Sequence, residues 1–518
     1  MTSKRTRRSV RNLVLVLGDQ LDRKSSALEG FHLQQDLVWM AELAEDAEQI
    51  RSHKARIAFS LSTMRHFRDD LRERGVTVHY RALDDPDHRG KLADELDLAV
   101  DQFRPERIVV VQPGQWRSEE LLRTICDRLG VALEVREDQH FLCSRDEFSR
   151  FARQRRSLPM EQFYRHMRRK TEALMEGKTP VGGKWTVAGD KRLRLPRKGT
   201  ADIPRPMAFK PDTLTREVLE LVGRRFAAHP GSLEHFDWPV TARQAREALV
   251  DFVRHRLPWF VAHQETMHSS HPFLYHSRLA AAMNVKLLDP RDGIAAAEAA
   301  YHSQRASLSC VESFIRQILG WREYVRGIYW HLMPEYRSRN ELAADRSLPA
   351  FYWTGETEMH CLRETIAQVL THGYSHHIQR LMVTGQFALL LGVAPLEVLQ
   401  WFLAVHVDAA EWAAVPNVLG LSQFADGGLV AAKPCAAGGA FIHRASGCCR
   451  RCRFNPDVKS GQDACPFNIL YWDFLQRHQS TFSSVVAMKK QLARLNDMPA
   501  HEMREIVEQA DRLRNSIP

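Results

Sequence analysis

Residues 447–466, reading GCCRRCRFNPDVKSGQDACP, hold four of the chain's nine cysteines. Cys449 and Cys452 form a Cys-x-x-Cys pair, which sets two thiolates on one turn. Cys465 follows after twelve intervening residues and is succeeded at once by Pro466. Three thiolates converging on one point need a fourth ligand to close a tetrahedral zinc or iron–sulfur site, and the spacing leaves both metals open. Cys448 is the local rival of Cys449. The other five cysteines are scattered singly. An odd total with this distribution suits a reducing, cytoplasmic setting better than a disulfide framework.

Three further segments carry unusual side chains. Residues 271–279, HPFLYHSRL, open on a polar cluster with Ser277 near the expected first turn of a helix, and a helix N-terminus with hydroxyl donors suits an anion. In residues 312–326, Gln317, Trp321 and Tyr324 recur at helical spacing, which predicts amide, indole and phenol on one face. A buried core explains the aromatics but not Gln317 and Arg322 among them. Residues 374–428 contain the adjacent pair His376 and His377, then Trp401, Asp408 and Asn417. Neighbouring helical residues point about 100° apart, so at most one of the two histidines is expected to face any one pocket. The His-Glu-x-x-His spacing of a helical metal pair is missing.

The elements that must position these groups fall into two parts. Over 12–145, short apolar runs at 13–17, 37–40, 76–80, 108–111 and 133–135 alternate with helical stretches at 61–74, 92–103 and 118–129. This pattern predicts βαβ units in a Rossmann-like parallel-sheet α/β domain, whose ligands lie beyond the carboxyl ends of the strands. Gly18, Asp19, Gln20 and Leu21 directly follow the first strand, without a Gly-x-Gly-x-x-Gly fingerprint. Glu42, Glu45 and Asp46 follow the second, a pattern that a solvated helix start explains. Residues 1–11 read as a disordered basic tail. Residues 146–213 read as an interdomain linker with arginine-rich helices, and helical periodicity dominates 214–518. At 518 residues the chain is too long for one core. Its net charge of +10 is compatible with a nucleic acid or an anionic cofactor without proving either. No run of eighteen apolar residues is present, so no membrane span is expected.

Taken together, the strings 314–317 (FIRQ), 320–324 (GWREY), 347–355, 376–382 (HHIQRLM), 422–428 (SQFADGG) and 465–468 (CPFN) resemble the cryptochrome/photolyase family, in its bacterial iron–sulfur branch. The resemblance extends over nearly the whole chain. It implies an all-helical FAD-binding domain after the α/β domain, with FAD held by His276, Ser277, Leu279, Gln317, Trp321, Arg322, Tyr324, Asp408 and Asn417. It also implies that Cys361 is the missing ligand of a [4Fe–4S] cluster completed by Cys449, Cys452 and Cys465. A 6,7-dimethyl-8-ribityllumazine antenna would sit at Gly18, Asp19, Gln20, Leu21 and Asp46, the last standing where a glutamate is usual.

The function implied is light-dependent repair of (6-4) photoproducts in UV-damaged DNA by a monomeric lyase, through an electron from excited reduced FAD. His377 is the first candidate proton donor and His376 the second. Trp401 and Trp353 match the family's electron relay, but Phe402 replaces the intervening tyrosine, and phenylalanine carries a hole poorly. Cys435 and Phe441 stand where phenols are common, Leu421 where methionine is usual, and Ala414 where an acid is common. The alternative these departures keep open is a blue-light photoreceptor that retains FAD and cluster with little or no repair.

Overall fold

A computed structural model describes residues 10–517 apart from 49, 154, 156, 188–202 and 269, and leaves out the side chains of 46 and 47. Most of the expected basic tail, part of the linker and the Asp46 side chain therefore lie outside the described residues. Five strands form one sheet: β1 (Asn12–Leu15), β2 (Leu37–Ala41), β3 (Val78–Arg81), β4 (Arg107–Val111) and β5 (Ala132–Arg136). All four pairings are parallel, in the order β3-β2-β1-β4-β5. The expected α/β class holds, with strand ends shifted by one or two residues.

Both faces of the central strands are buried, as parallel sheets require, so their sequences read as continuous apolar runs. Leu13, Leu15, Trp39, Ile108 and Val110 pack under Leu96, Leu122 and Ile125 of the helices Leu92–Phe103 and Trp116–Leu129. The alternate residues Val14, Val16, Val38, Met40, Val109 and Val111 face Phe67 and Leu71 of the helix Lys54–Glu73, and join one core with the helical part. Strand order reverses between β1 and β4. The crevice beyond their carboxyl ends is the place where such sheets hold ligands, and here it faces the helical part.

From Thr213–Arg225 onward every regular element among the described residues is helical. Three segments of this part, Arg316–Arg322, Arg380–Gly385 and Pro416–Ser422, are wound as π-helix. Such wide turns are rare and cluster at functional sites, because they redirect side chains that an α-helix would leave facing neighbouring turns. No described helix is long and apolar enough to cross a membrane.

Candidate functional site

The three π-segments carry Gln317, Trp321 and Arg322, then Arg380, then Asn417. Gln317 is exposed although Ile315, Ile318 and Leu319 around it are buried, and His377 is likewise exposed between buried His376 and Ile378. Yet protein surrounds His377 so densely that desolvation, then His276 and Arg380, push its pKa down to about 3. His377 therefore lines a hollow in the surface, reached by water between enclosing segments. Arg380 Nη2 donates to both oxygens of Asp408 at 2.9 and 3.0 Å, and its Nε to the Ser375 carbonyl. Asn284 donates to the Asp408 carbonyl, and the Asn417 amide to Ala413. Arg380, Asp408 and Asn417 are thus each held by a neighbouring segment, and His377 opens on the hollow beside them.

His376 and His377 converge, against expectation. His376 caps a one-turn helix, His377–Gln379, in an extended conformation (φ −81°, ψ 165°), so the 100° separation of successive helical residues does not apply. Its ring stacks on His276 at 4.5 Å, and His377 lies 5.9 Å from His276 and 6.1 Å from His376. Both ring nitrogens of buried His376 lack a partner. Burial pushes His276 down to about 4 and His376 well below the usual imidazole range, so all three rings are neutral near pH 7. Unpaired buried nitrogens together with polar groups facing a hollow fit a large polar cofactor or substrate.

Several expected contacts fall elsewhere. Residues 271–279 form a loop before the short helix Ala280–Asn284, and the Ser277 hydroxyl accepts its own turn's Leu279 N–H, so no helix-end anion site is built there. Leu279 is buried in the core. Tyr324 is fully buried beside Phe148, Phe163 and Trp321 and donates to the Leu158 carbonyl. The π-turn breaks the α-periodicity that would have put Tyr324 and Gln317 on one face. Arg322 turns toward the sheet, bonding Glu323 at 2.8 Å and His140 at 3.1 Å, with its guanidinium over Phe141 and Trp412.

That last network floors the crevice beyond β1 and β4. Lys286 pairs with Asp138 at 2.9 Å, both nearly fully buried. Burial would raise the Asp138 carboxyl, but Lys286 and Arg326 hold it at about 2. Asp19, beside the same pair, is pushed upward by burial against the pull of Lys286. Gly114 leaves room for the Asp19 carboxylate, since a Cβ there would lie 2.3 Å from Asp19 Oδ2 and force that side chain to move. Gln20 and Leu21 are instead structural: the Gln20 amide donates to the Val111 carbonyl, and Leu21 is core. Neither Lys286 nor Asp138 stands out in sequence, because the loops that carry them lie about 150 residues apart.

Trp401 is fully buried and donates its indole N–H to the Tyr352 carbonyl. Its ring meets Tyr352 and Phe402 edge-on, each at 5.1 Å, and Phe402 stacks on His406. Tyr352, missed in the sequence, puts a phenol against Trp401 and precedes half-buried Trp353. Of the departing positions, Cys435, Phe441, Leu421 and Ala414 are all half-buried.

Cys361, Cys449, Cys452 and Cys465 line one cavity, closed by Met359, Ile442, Phe454 and Phe467. All nine cysteines are free thiols. Cys361 sits in the first turn of the helix His360–His372, and Cys465 caps the helix Pro466–Arg477, so two helix N-termini offset anionic sulfur. Burial first, and then the neighbouring thiols, push Cys449 and Cys465 up to about 12 and 11, so their ionised form needs a bound cation. A Cβ on Gly439 would lie 2.8 Å from Cys465 Sγ. Asn468 pins the intervening loop, donating to the Pro456 and Val458 carbonyls and accepting from Gly439. Four thiols in a dry pocket without a disulfide fit a metal cluster and serve no packing need.

Residues 14–238 match the family described as "Deoxyribodipyrimidine photo-lyase-related protein". A (6-4) photolyase of Agrobacterium fabrum is 44% identical over 495 residues, spanning 95% of this chain and 97% of that one. Among solved structures, a bacterial class III photolyase from Agrobacterium tumefaciens superposes with a TM-score of 0.53 at 14% identity, over 98% of this chain and 93% of that one. The cryptochrome of Synechocystis sp. PCC6803 superposes with a TM-score of 0.54 at 12% identity, over 99% and 100%. Near-complete coverage at 44% identity, on a shared fold, places this chain in the photolyase/cryptochrome family, where its full-length relative is a (6-4) photolyase.

Proposed function

We propose that the chain is a light-dependent lyase that repairs (6-4) photoproducts in UV-damaged DNA. The observation that carries this reading is the full-length likeness to a (6-4) photolyase, joined to a polar hollow with His377 on its wall. FAD, once bound and reduced, supplies the electron that light delivers to the lesion. The side chains fitted to hold it are Gln317, Asn417 and the Arg380–Asp408 pair, with His276 alongside. His377 serves as proton donor, with His376 as the second candidate for that role. Because His377 is neutral here, proton donation requires negative charge brought in by the bound ligands to raise its pKa.

A flipped lesion reaches the hollow from a duplex held by exposed arginines of the linker region, Arg150, Arg153, Arg155, Arg165 and Arg169. Arg168 is not among them; it is buried and donates to the Ala173, Leu174 and Trp185 carbonyls. A [4Fe–4S] cluster on Cys361, Cys449, Cys452 and Cys465 ties the C-terminal segment to the helical core. The crevice at Gly18 and Asp19 suits a lumazine antenna, with Asp19 and Lys286 as its polar partners.

The test is illumination of the reduced holoprotein with a (6-4)-containing oligonucleotide. Restored thymines support repair; bound flavin and cluster with no restored thymines assign the photoreceptor role instead. His377→Ala is expected to abolish repair with flavin absorbance unchanged, and retained repair removes the assignment.

A further inference from the structure

The four-cysteine cavity has a neighbour. On the other side of Cys361 lies a second small cavity, lined by Cys361 and Cys448 with His268, Glu364 and Ser446. Cys361 therefore borders two cavities, one shared with Cys449 and one with Cys448. Cys448 and Cys449 are the first two residues of a single 3₁₀ turn, Cys448–Arg451, and both are half-buried. In sequence the Cys-x-x-Cys spacing ranks Cys449 first, with Cys448 as its local rival.

We propose that Cys448 is a reserve ligand of the cysteine site, taking the place of Cys449 when that thiolate is lost. The proposal rests on the cluster assignment above. The move required is a one-residue screw of the turn, about 2 Å along a 3₁₀ axis with a rotation of about 120°. Gly447 before it is exposed, and a Cβ there would meet nothing within 4 Å, so the entry to the turn has room to shift. The Cys448 N–H is held only by the Ser446 hydroxyl, at 3.2 Å. After the move the pair becomes Cys448-x-x-x-Cys452, within the two-to-four-residue spacings that metal-binding loops tolerate. The exchange balances without an electron: one iron–sulfur bond to Cys449 breaks, one to Cys448 forms, and the Cys448 thiol proton passes to solvent or to the departing sulfur.

The experiment compares the full-length protein, purified anaerobically, with C448S, C449S, C448S/C449S and C361S. The readouts are iron and acid-labile sulfide per chain, and the visible absorption of the cluster. C448S and C449S are each expected to keep iron within about twofold of the unaltered chain, while the double variant and C361S fall by about tenfold or more. A C449S protein as empty as C448S/C449S overturns the proposal. Bound flavin and far-ultraviolet circular dichroism, measured on every variant, separate ligand loss from misfolding. If C449S misfolds, the cysteine pair is compared by reconstituting unfolded-and-refolded chains with iron and sulfide, and equal failure of C449S and the double variant is again the overturning result. Should the unaltered chain hold zinc and no sulfide, the cluster assignment fails, and zinc per chain in the same variants decides the reserve role by itself.

Discussion

His377 and Tyr352 show opposite kinds of legibility. His377 stands out in the sequence as one of an adjacent pair, but its neutrality and its convergence with His376 on His276 come from a cap conformation and from a loop a hundred residues upstream. Tyr352 is one aromatic among many in the sequence, and only packing sets it against Trp401. With Phe402 beside the same indole, Tyr352 is the redox-active neighbour. Tyr352→Phe is expected to slow flavin photoreduction measurably in transient absorption. Its lost hydrogen bond to the Thr384 carbonyl costs about 1 kcal/mol in a denaturant titration. Unchanged photoreduction would assign Tyr352 to packing alone.

Elements meet in this fold where glycines let them. The helix Glu323–Leu332 follows the π-turn that carries Arg322, and it packs on the helix Arg145–Arg153 at Gly327. A Cβ on Gly327 would lie 2.0 Å from the Phe148 ring, which is itself wedged among Phe151, Phe163 and Tyr324. Gly327→Ala is therefore expected to destabilise the protein by about 3 kcal/mol, seen as a lower urea midpoint with bound flavin reduced. Gly114→Ala acts on the crevice instead, since the new methyl displaces Asp19. Lumazine bound per chain should drop while flavin per chain holds, and equal loss of both would point to general unfolding. The α/β alternation and the helical remainder were readable because apolar periodicity is a local property. The π-turns were not, since their extra residue per turn is stabilised by tertiary packing.

At the scale of the molecule, buried neutral imidazoles set the response to acid. His53 and His276 are each held near 4 in the fold, chiefly by desolvation, against about 6.5 when unfolded. Between these values the unfolded chain binds more protons than the folded one. The stability they contribute is complete above about pH 6.5 and is lost as pH falls toward 4, by about 1.4 kcal/mol per unit for each fully coupled group. Urea midpoints measured from pH 7 to pH 4.5 should fall with a proton uptake near two or more. A flat profile would overturn the assignment of these rings as buried and neutral. DNA binding should weaken steeply with salt if the linker cations meet phosphate as proposed, and a flat salt dependence would remove that role.

The sequence by itself determined the class of fold, the family, and the cysteines of the C-terminal site, because strings such as GWREY and CxxC report local pattern and fixed chemistry. Only the tertiary structure decided that Arg322 bonds His140 across the two domains, that the Gln20 amide donates to the Val111 carbonyl, and that Lys286 and Asp138 meet beside Asp19. It alone set Cys448 beside Cys361 across from Cys449. The physical reason is shared: desolvated ion pairs, orphaned imidazoles and paired cavities depend on which distant segments exclude water together, and residue type and spacing carry no record of that.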